Sequence, residues 1–151
     1  MVPSGSLKPR RSHKQRFRKK RVLFVCIGNS CRSQMAEAFA RSYGSDVLIA
    51  VSAGLRPAMV VSPLTFQVLA EKNIRTDGQF PKSLDMVLGA PFDVVVNISG
   101  FRIPASAPRV IEWSVQDPIG LQEEVFRDVA NQLESLVMGL ILQLRSEQPA
   151  A

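Results

Sequence analysis

A chain of 151 residues is long enough for one domain with a full core and too short for two domains of ordinary size. Its apolar fraction of 46% and charged fraction of 21% are those of a soluble globular protein, and no apolar run approaches the roughly 20 residues that cross a bilayer. No apolar stretch precedes the first predicted strand, which argues against a secretory signal, so we expect a cytoplasmic protein.

The net charge of +6 is unevenly distributed along the chain. Residues 1–21 hold nine Lys or Arg and no acid, whereas the other 130 residues hold 10 basic and 13 acidic side chains, a net charge of −3. A run of like charges with Pro, Ser and Gly cannot bury enough apolar surface to fold alone. We therefore predict a disordered basic tail over 1–21 and a single domain over 22–151. We interpret the tail as a solvated extension, and contact with nucleic acid or an anionic membrane surface stays open.

The first predicted elements are a strand, a loop and a helix. Residues 22–25 form a short apolar run with β-branched and aromatic residues, which is typical of a strand buried on both faces. A glycine-containing loop follows, and the apolar residues of 33–43 then fall on one face of a helix that stops at Gly44. Residues 47–51 predict a second strand, which ends in Ser52-Ala53-Gly54.

The remaining elements continue this alternation. Ser62 and Pro63 open a second helix, because serine is a favoured N-cap and proline is favoured at the first helical position, and this helix ends near Asn73. Further predictions are a helical turn over 83–88, strands over 92–96 and 109–113, and a long amphipathic helix over 122–144. Alternating strands and helices predict a parallel sheet with helices on both faces, which binds ligands at the carboxyl ends of its strands.

The loop after the first strand, Cys26-Ile27-Gly28-Asn29-Ser30-Cys31-Arg32, carries the strongest functional signal. Because it joins a buried strand to a helix, its backbone N–H groups and the helix dipole can converge on one anion. Gly28 permits backbone conformations that other residues resist, and Asn29 tolerates a positive φ. The guanidinium of Arg32 matches two oxygens of phosphate or arsenate. We therefore predict an oxyanion site.

Cys26 begins this loop, and we predict that it is a thiolate nucleophile toward the central atom of the anion. The positive field of the loop favours the thiolate, and Ser33 is placed to donate a hydrogen bond to it. A cysteine that merely packs at the end of a buried strand would not require Arg32 and Ser33 at this spacing. The only histidine, His13, lies in the tail, so Cys-His and Ser-His-Asp catalysis would require the tail to fold back.

Cys31 is the only other cysteine. The pair lacks the additional cysteines or histidines of a structural zinc site. Cys31 is interpreted either as a packing residue of the first helical turn or as the partner of Cys26 in a reversible disulfide that prevents over-oxidation.

The leaving oxygen of a substrate needs a proton, which a carboxylic acid on another element would supply. Asp117 is the best candidate, since it follows the fourth predicted strand and Pro118 stiffens its loop. Asp-Pro is also a common way to start a turn, so the pair has a purely structural interpretation as well.

Residues 22–37, Val-Leu-Phe-Val-Cys-Ile-Gly-Asn-Ser-Cys-Arg-Ser-Gln-Met-Ala-Glu, closely resemble the low-molecular-weight protein tyrosine phosphatase family and its arsenate reductase branch. The resemblance extends over residues 22–145 and includes Ser52-Ala53-Gly54 and Asp117-Pro118. It implies a flavodoxin-like three-layer α/β fold with a four-stranded parallel sheet, and hence a phosphatase-like catalytic domain.

The resemblance also assigns roles. It implies Cys26 as nucleophile through a phosphocysteine intermediate, Arg32 as oxyanion clamp and Asp117 as general acid, without a cofactor. The implied substrate-binding residues are Ile27, Gly28, Asn29, Ser30, Cys31 and Ser33. Asn29, Ser33 and Ser52 are similar to the family's network that fixes the loop and tunes the thiolate. The reductase branch can hold a potassium ion, for which the matching residues are Asn29, Glu37, Ser52 and Asp85.

The features that separate the two branches point in different directions. Ser30, Gln34, Trp113 and the run Asp93-Val-Val-Val are similar to the reductases, and Ile119-Gly120 replaces aromatic residues of the phosphatases. Thioredoxin-coupled reductases, however, carry two further cysteines, where this chain has Ser99 and no cysteine over 101–108.

Reduction requires a thiol relay, whereas hydrolysis does not. We therefore favour hydrolysis of a phosphomonoester, such as a phosphotyrosine, over arsenate reduction by Cys26 with Cys31 or with an external thiol and a glutaredoxin-type partner. The expected ligands are a phosphate ester or an oxyanion such as phosphate, arsenate or sulfate. A non-catalytic oxyanion-binding module is the third hypothesis, and the intact set of Cys26, Arg32 and Asp117 argues against it.

Overall fold

The structure is a computed structural model that describes residues 17–149, so most of the predicted basic tail lies outside the described residues. The strands are β1 (Lys20–Cys26), β2 (Leu48–Gly54), β3 (Val94–Asn97) and β4 (Arg109–Glu112). The helices are α1 (Arg32–Gly44), α2 (Pro63–Glu71), α3 (Leu84–Val87) and α4 (Glu123–Ser146). Over 17–149, none of these helices is long and apolar enough to cross a membrane.

The four strands form one parallel sheet in the order β2-β1-β3-β4, which confirms the predicted α/β fold. In the register, Cys26 at the end of β1 pairs with Gly54 at the end of β2. Val25 pairs with Asn97 at the end of β3. The carboxyl ends of three strands therefore meet at one edge of the sheet, and the predicted loop leaves from the middle of that edge.

The larger hydrophobic core lies between the sheet and helices α1, α2 and α4, where Phe24, Phe39 and Leu133 are fully buried. Close packing of α1 on α4 depends on Gly44, because a Cβ there would lie 2.7 Å from Cγ1 of Ile141. On the other face of the sheet, Leu84 of α3 packs with apolar residues of β1 and β3. The buried face of the long amphipathic helix thus packs against α1 and the sheet.

β1 begins at Lys20, two residues before the predicted strand, because Lys20 already donates its backbone N–H to the carbonyl of Val47 at 2.9 Å. Arg18 also contacts the domain through a salt bridge to Asp93, with 2.9 Å between Nη2 and Oδ1. Residues 18–21 of the predicted tail are therefore part of the folded unit. Helix α2 ends at Glu71 rather than near Asn73, which adopts a φ of 60°.

Candidate active site

The loop between β1 and α1 is held from outside by the segment that follows β2. Backbone N–H groups of residues 55, 56, 58 and 62 donate to the carbonyls of residues 26, 27, 28 and 30 at distances from 2.8 to 3.1 Å. Within residues 17–149, the N–H groups of residues 28–32 have no such acceptor. The loop therefore uses its carbonyls to bind the segment after β2 and leaves the N–H groups of residues 28–32 for an anion.

Asn29 is the residue that shapes the loop. Its φ is 51°, whereas Gly28 does not have a positive φ, so of the two loop residues predicted to suit an unusual conformation it is Asn29 that adopts one. The carboxamide of Asn29 donates to Ser33 Oγ at 2.7 Å and to Ser52 Oγ at 3.0 Å, and its Oδ1 accepts the N–H of Lys82 at 2.9 Å. The fully buried Asn29 side chain thus ties the loop to α1, β2 and the segment before α3.

The last residue of β2, Gly54, has no room for a side chain. A Cβ at this position would lie 2.8 Å from the carbonyl oxygen of Ile27 and 2.9 Å from the backbone nitrogen of Asn29. Both are backbone atoms, which cannot move without displacing the loop. The motif Ser52-Ala53-Gly54 therefore provides a hydroxyl for Asn29 and a close approach for the loop backbone.

Cys26 lies at the base of the loop and is 2% exposed. Its Sγ is 2.8 Å from the hydroxyl of Ser33 and 3.4 Å from the backbone nitrogen of Ser33. As a thiolate, the sulfur would accept both hydrogen bonds. The predicted contact between Cys26 and Ser33 is therefore present in the structure.

Cys31 lies five residues further along the chain and is also a free, buried thiol. Burial raises the pKa of Cys31 to about 12, an effect that the hydrogen bond with Thr65 partly opposes. Its sulfur also lies 4.0 Å from the sulfur of Met35. At neutral pH Cys31 is therefore a protonated thiol that packs at the N-cap of α1.

Arg32 is 5% exposed, and two carbonyl groups orient its guanidinium. Nη1 donates to the carbonyl of Ile98 at 2.9 Å, just after β3, and to that of Val115 at 3.1 Å, after β4. Nη2 faces Oδ2 of Asp117 at 3.5 Å. The remaining edge of the guanidinium can bind an oxyanion while the carbonyls keep its plane fixed.

Asp117 is the acid that the structure brings to the loop. Its side chain is 44% exposed, and its Oδ1 accepts the N–H of Ile119 at 3.1 Å, so it both forms a turn and faces the site. The cavity at this point has a volume of about 220 Å³. Its lining comprises Cys26, Ile27, Gly28, Ser30, Cys31, Arg32, Ala58, Asp117 and Ile119.

The predicted potassium ligands are only partly assembled. Ser52 donates to Oε1 of the buried Glu37, and Arg41 forms a salt bridge with Oε2. Asp85 is exposed, and its N–H donates to Ser83. Across residues 17–149, no cluster of three or more His, Cys, Asp or Glu suits a metal ion. The Arg41 guanidinium thus supplies Glu37 with a positive charge from the chain itself.

We therefore expect the melting temperature to be the same in potassium chloride and in sodium chloride at equal ionic strength, because Arg41 already neutralises Glu37. Thermal unfolding in the two salts measures this directly. The variant Arg41→Gln is the informative comparison, since its Glu37 has lost that partner and is available to an added cation. A wild-type protein that melts at a higher temperature in potassium would contradict this expectation.

Two buried amides have roles that sequence reasoning missed. Gln34, considered above only as a mark of one branch, donates to the carbonyls of Asn29 at 3.0 Å and Phe80 at 2.9 Å. Asn97 accepts hydrogen bonds from the backbone N–H and the hydroxyl of Ser99, at 3.0 and 2.7 Å. It also donates to the carbonyl of Phe101 at 2.7 Å. The sequence signal for Asn97 was its position directly after the apolar run 94–96.

Three comparisons describe what this chain is similar to. The family model described as low molecular weight phosphotyrosine protein phosphatase matches residues 21–150. A glutaredoxin arsenate reductase from Synechocystis is 34% identical over 130 residues, which cover 83% of this chain and 98% of that protein.

Two solved structures extend the comparison. An arsenate reductase in the phosphate-binding state has a TM-score of 0.77 and 34% identity, and the match covers 83% of this chain and 98% of that one. The YwlE arginine phosphatase from Geobacillus stearothermophilus has a TM-score of 0.75 and 27% identity, covering 85% and 95%. The relatives thus include a reductase that binds phosphate and a phosphatase on the same fold.

Proposed function

The chain belongs to the low-molecular-weight phosphotyrosine protein phosphatase family, in its arsenate-reductase-like branch, and from this premise we propose that it is an arsenate reductase that uses Cys26 and an external thiol. The sequence alone favours hydrolysis, because the cysteines of a thiol relay are missing. Relatives of 34% identity named arsenate reductases support the alternative instead. The observation that carries the proposal is the Cys26 sulfur in one cavity with Arg32, at the base of a loop whose N–H groups at 28–32 have no backbone acceptor within residues 17–149.

In the first step, the Cys26 thiolate attacks the arsenic atom of arsenate. An S–As bond forms, one As–O bond breaks, and the leaving oxygen departs as water after taking protons from Asp117 and from solvent. The N–H groups of residues 28–32 and the Arg32 guanidinium bind the remaining oxygens. Ser33 donates to the sulfur before the attack. The product is a covalent adduct of Cys26 with As(V).

The second step needs a thiol, and Cys31 is poorly suited to supply it. Its pKa of about 12 keeps it protonated at neutral pH, and its side chain packs against Met35 and Thr65. The attacking species in thiol–disulfide chemistry is the thiolate. Cys26 and Cys31 are the only cysteines of the sequence. We therefore propose that the second sulfur comes from a separate molecule.

The variant Cys31→Ser tests the source of the second thiol. We expect arsenite production with an external thiol to stay within about threefold of wild type, because the serine hydroxyl can keep the hydrogen bond with Thr65. Arsenite production with excess glutathione, compared between the two proteins, gives the result. A loss as large as that of a Cys26 variant would contradict the expectation and assign Cys31 to the relay.

The decisive experiment for the proposed function is direct detection of arsenite. Purified protein receives arsenate with glutathione, with and without glutaredoxin, and arsenite is separated from arsenate by chromatography. We expect arsenite formation that depends on both the protein and the thiol. Absence of arsenite with glutathione, glutaredoxin and thioredoxin systems would refute the proposal.

Phosphomonoester hydrolysis is the second candidate function, and Asp117 is the observation that favours it. A carboxyl group that faces Arg32 at 3.5 Å across the site is suited to protonate an ester leaving group, and hydrolysis needs no second thiol. The same protein preparation incubated with p-nitrophenyl phosphate tests this candidate. Turnover of the ester without arsenite production would replace the first proposal with this one.

A further inference from the structure

A second cavity lies next to the one that contains Cys26. It has a volume of about 440 Å³ and is lined by Ile27, Leu55, Arg56 and Phe101. Ile27 borders both cavities, and the segment after β2 also borders both, since Ala58 lines the first. A molecule in the second cavity therefore lies against the loop residue that follows the nucleophile.

Arg56 gives this apolar cavity a positive charge. Residues 17–149 contain ten arginines, and eight of them have a salt bridge or a side-chain hydrogen bond within that range. Arg56 and Arg102 are the other two. Arg56 lines the cavity, and Arg102 follows the lining residue Phe101. The unpaired guanidinium is thus located where a bound molecule would carry an anionic group.

The lining residues are fixed by contacts outside the cavity. The backbone N–H of Arg56 donates to the carbonyl of Ile27 at 2.8 Å. The backbone of Phe101 is held by Asn97, which donates to its carbonyl at 2.7 Å, and by Ser99, whose hydroxyl accepts its N–H at 3.0 Å. The Phe101 side chain is 60% exposed. A rigid turn therefore presents an aromatic side chain at the mouth of the cavity.

We propose that this second cavity binds the external thiol, and that the thiol is a small molecule with carboxylate groups, such as a thiol tripeptide of the glutathione class. This inference rests on the proposed function and names the reductant of that site. Arg56 binds a carboxylate, while Ile27, Leu55 and Phe101 pack against the aliphatic part. A carboxylate bound in this way orients the thiol toward Cys26 instead of leaving it to random collision.

The chemistry of the step balances with two thiol molecules. The sulfur of the first thiolate attacks the Cys26 sulfur, an S–S bond forms and the S–As bond breaks. The bonding pair remains on arsenic, so As(V) becomes As(III) and leaves as arsenite. A second thiol then attacks the mixed disulfide, which releases Cys26 and the oxidised thiol dimer. Two thiols lose two electrons, and one arsenate gains them.

The variant Arg56→Gln tests this inference through two thiols of different charge. We expect the ratio of kcat/KM for glutathione to kcat/KM for 2-mercaptoethanol to fall about tenfold, because only glutathione carries carboxylates. The matched control is Arg75→Gln, which removes an exposed arginine paired with Asp77 and leaves the ratio unchanged. Arsenite production in wild type with an unchanged ratio in Arg56→Gln would overturn the inference.

A binding measurement separates this inference from the proposed function. S-Methylglutathione cannot react, so calorimetric titration of the protein with it reports the cavity alone. We expect binding that weakens about tenfold in Arg56→Gln and not in Arg75→Gln. If no thiol supports arsenite production but S-methylglutathione binds through Arg56, the proposed function fails and the binding site stands. If S-methylglutathione does not bind to wild type, the inference is overturned.

Discussion

Replacing Arg32 with lysine is expected to reduce turnover about 10³-fold, whether arsenite or a hydrolysed phosphate ester is measured. The guanidinium donates to the carbonyls of Ile98 and Val115 and still presents an edge to the oxyanion. An ammonium group has a single nitrogen atom, which cannot satisfy two carbonyls and bridge two oxygens of an anion in one plane. The loss should therefore be large although the positive charge is retained.

The control for this prediction is Arg41→Lys on the same helix. Arg41 is half exposed and pairs with Glu37, so lysine can replace it without altering the oxyanion contact. Steady-state turnover and thermal unfolding of both variants distinguish lost chemistry from lost folding. A folded Arg32→Lys protein with activity within a few-fold of wild type would contradict the role of the guanidinium fork.

The elements around the nucleophile could be predicted from sequence because local signals agree there. Residues 22–25 of β1 are uniformly apolar, α1 and α4 have periodic apolar faces, and Gly44 marks the end of α1. The bounds of the elements differ from the predicted ones at strand ends, because strand ends depend on partners elsewhere in the chain. The start of β1 at Lys20 follows from its backbone pairing with β2, which no local feature of a lysine-arginine run reveals.

Details of the site depend on tertiary contacts that a single sequence does not contain. The two carbonyls that orient Arg32 come from segments 66 and 83 residues away. Gly54 is required because the loop backbone approaches it, and the Asn29 side chain is held by three separate partners on α1, β2 and the segment before α3. In the same way, the pairing of Glu37 with Arg41 gives one residue of the predicted potassium site a charged partner that the sequence similarity does not reveal.

Ser99 marks a difference between this chain and the thioredoxin-coupled reductases. Ser99 stands where a thioredoxin-coupled reductase is expected to have a cysteine, and its hydroxyl instead hydrogen-bonds Asn97 and fixes the turn before Phe101. The turn is held by hydrogen bonds among Asn97, Ser99 and Phe101 and contains no thiol. The second thiol of a reductase would therefore have to come from a separate molecule.

Replacing Cys26 with serine is expected to lower turnover by about 10⁴-fold or more with either arsenate or a phosphate ester. A serine hydroxyl would need a base to attack arsenic or phosphorus. Residues 17–149 contain no histidine, and Ser33 at 2.8 Å from the Cys26 sulfur is a hydrogen-bond donor to a thiolate, not a base. The loop itself remains intact, since Asn29 and Gly54 maintain its shape without the sulfur.

Cys26→Ser should therefore lose turnover and keep phosphate binding. Phosphate should bind to Cys26→Ser with an affinity within about fivefold of wild type, because the N–H groups of residues 28–32 and Arg32 are unchanged. Calorimetric titration with phosphate, beside the turnover assays, measures both quantities. Cys31→Ser is the matched control, since it makes the same atomic change five residues away and should retain turnover. Residual turnover in Cys26→Ser comparable to wild type would disprove the covalent mechanism, and loss of phosphate binding would show that the sulfur also shapes the loop.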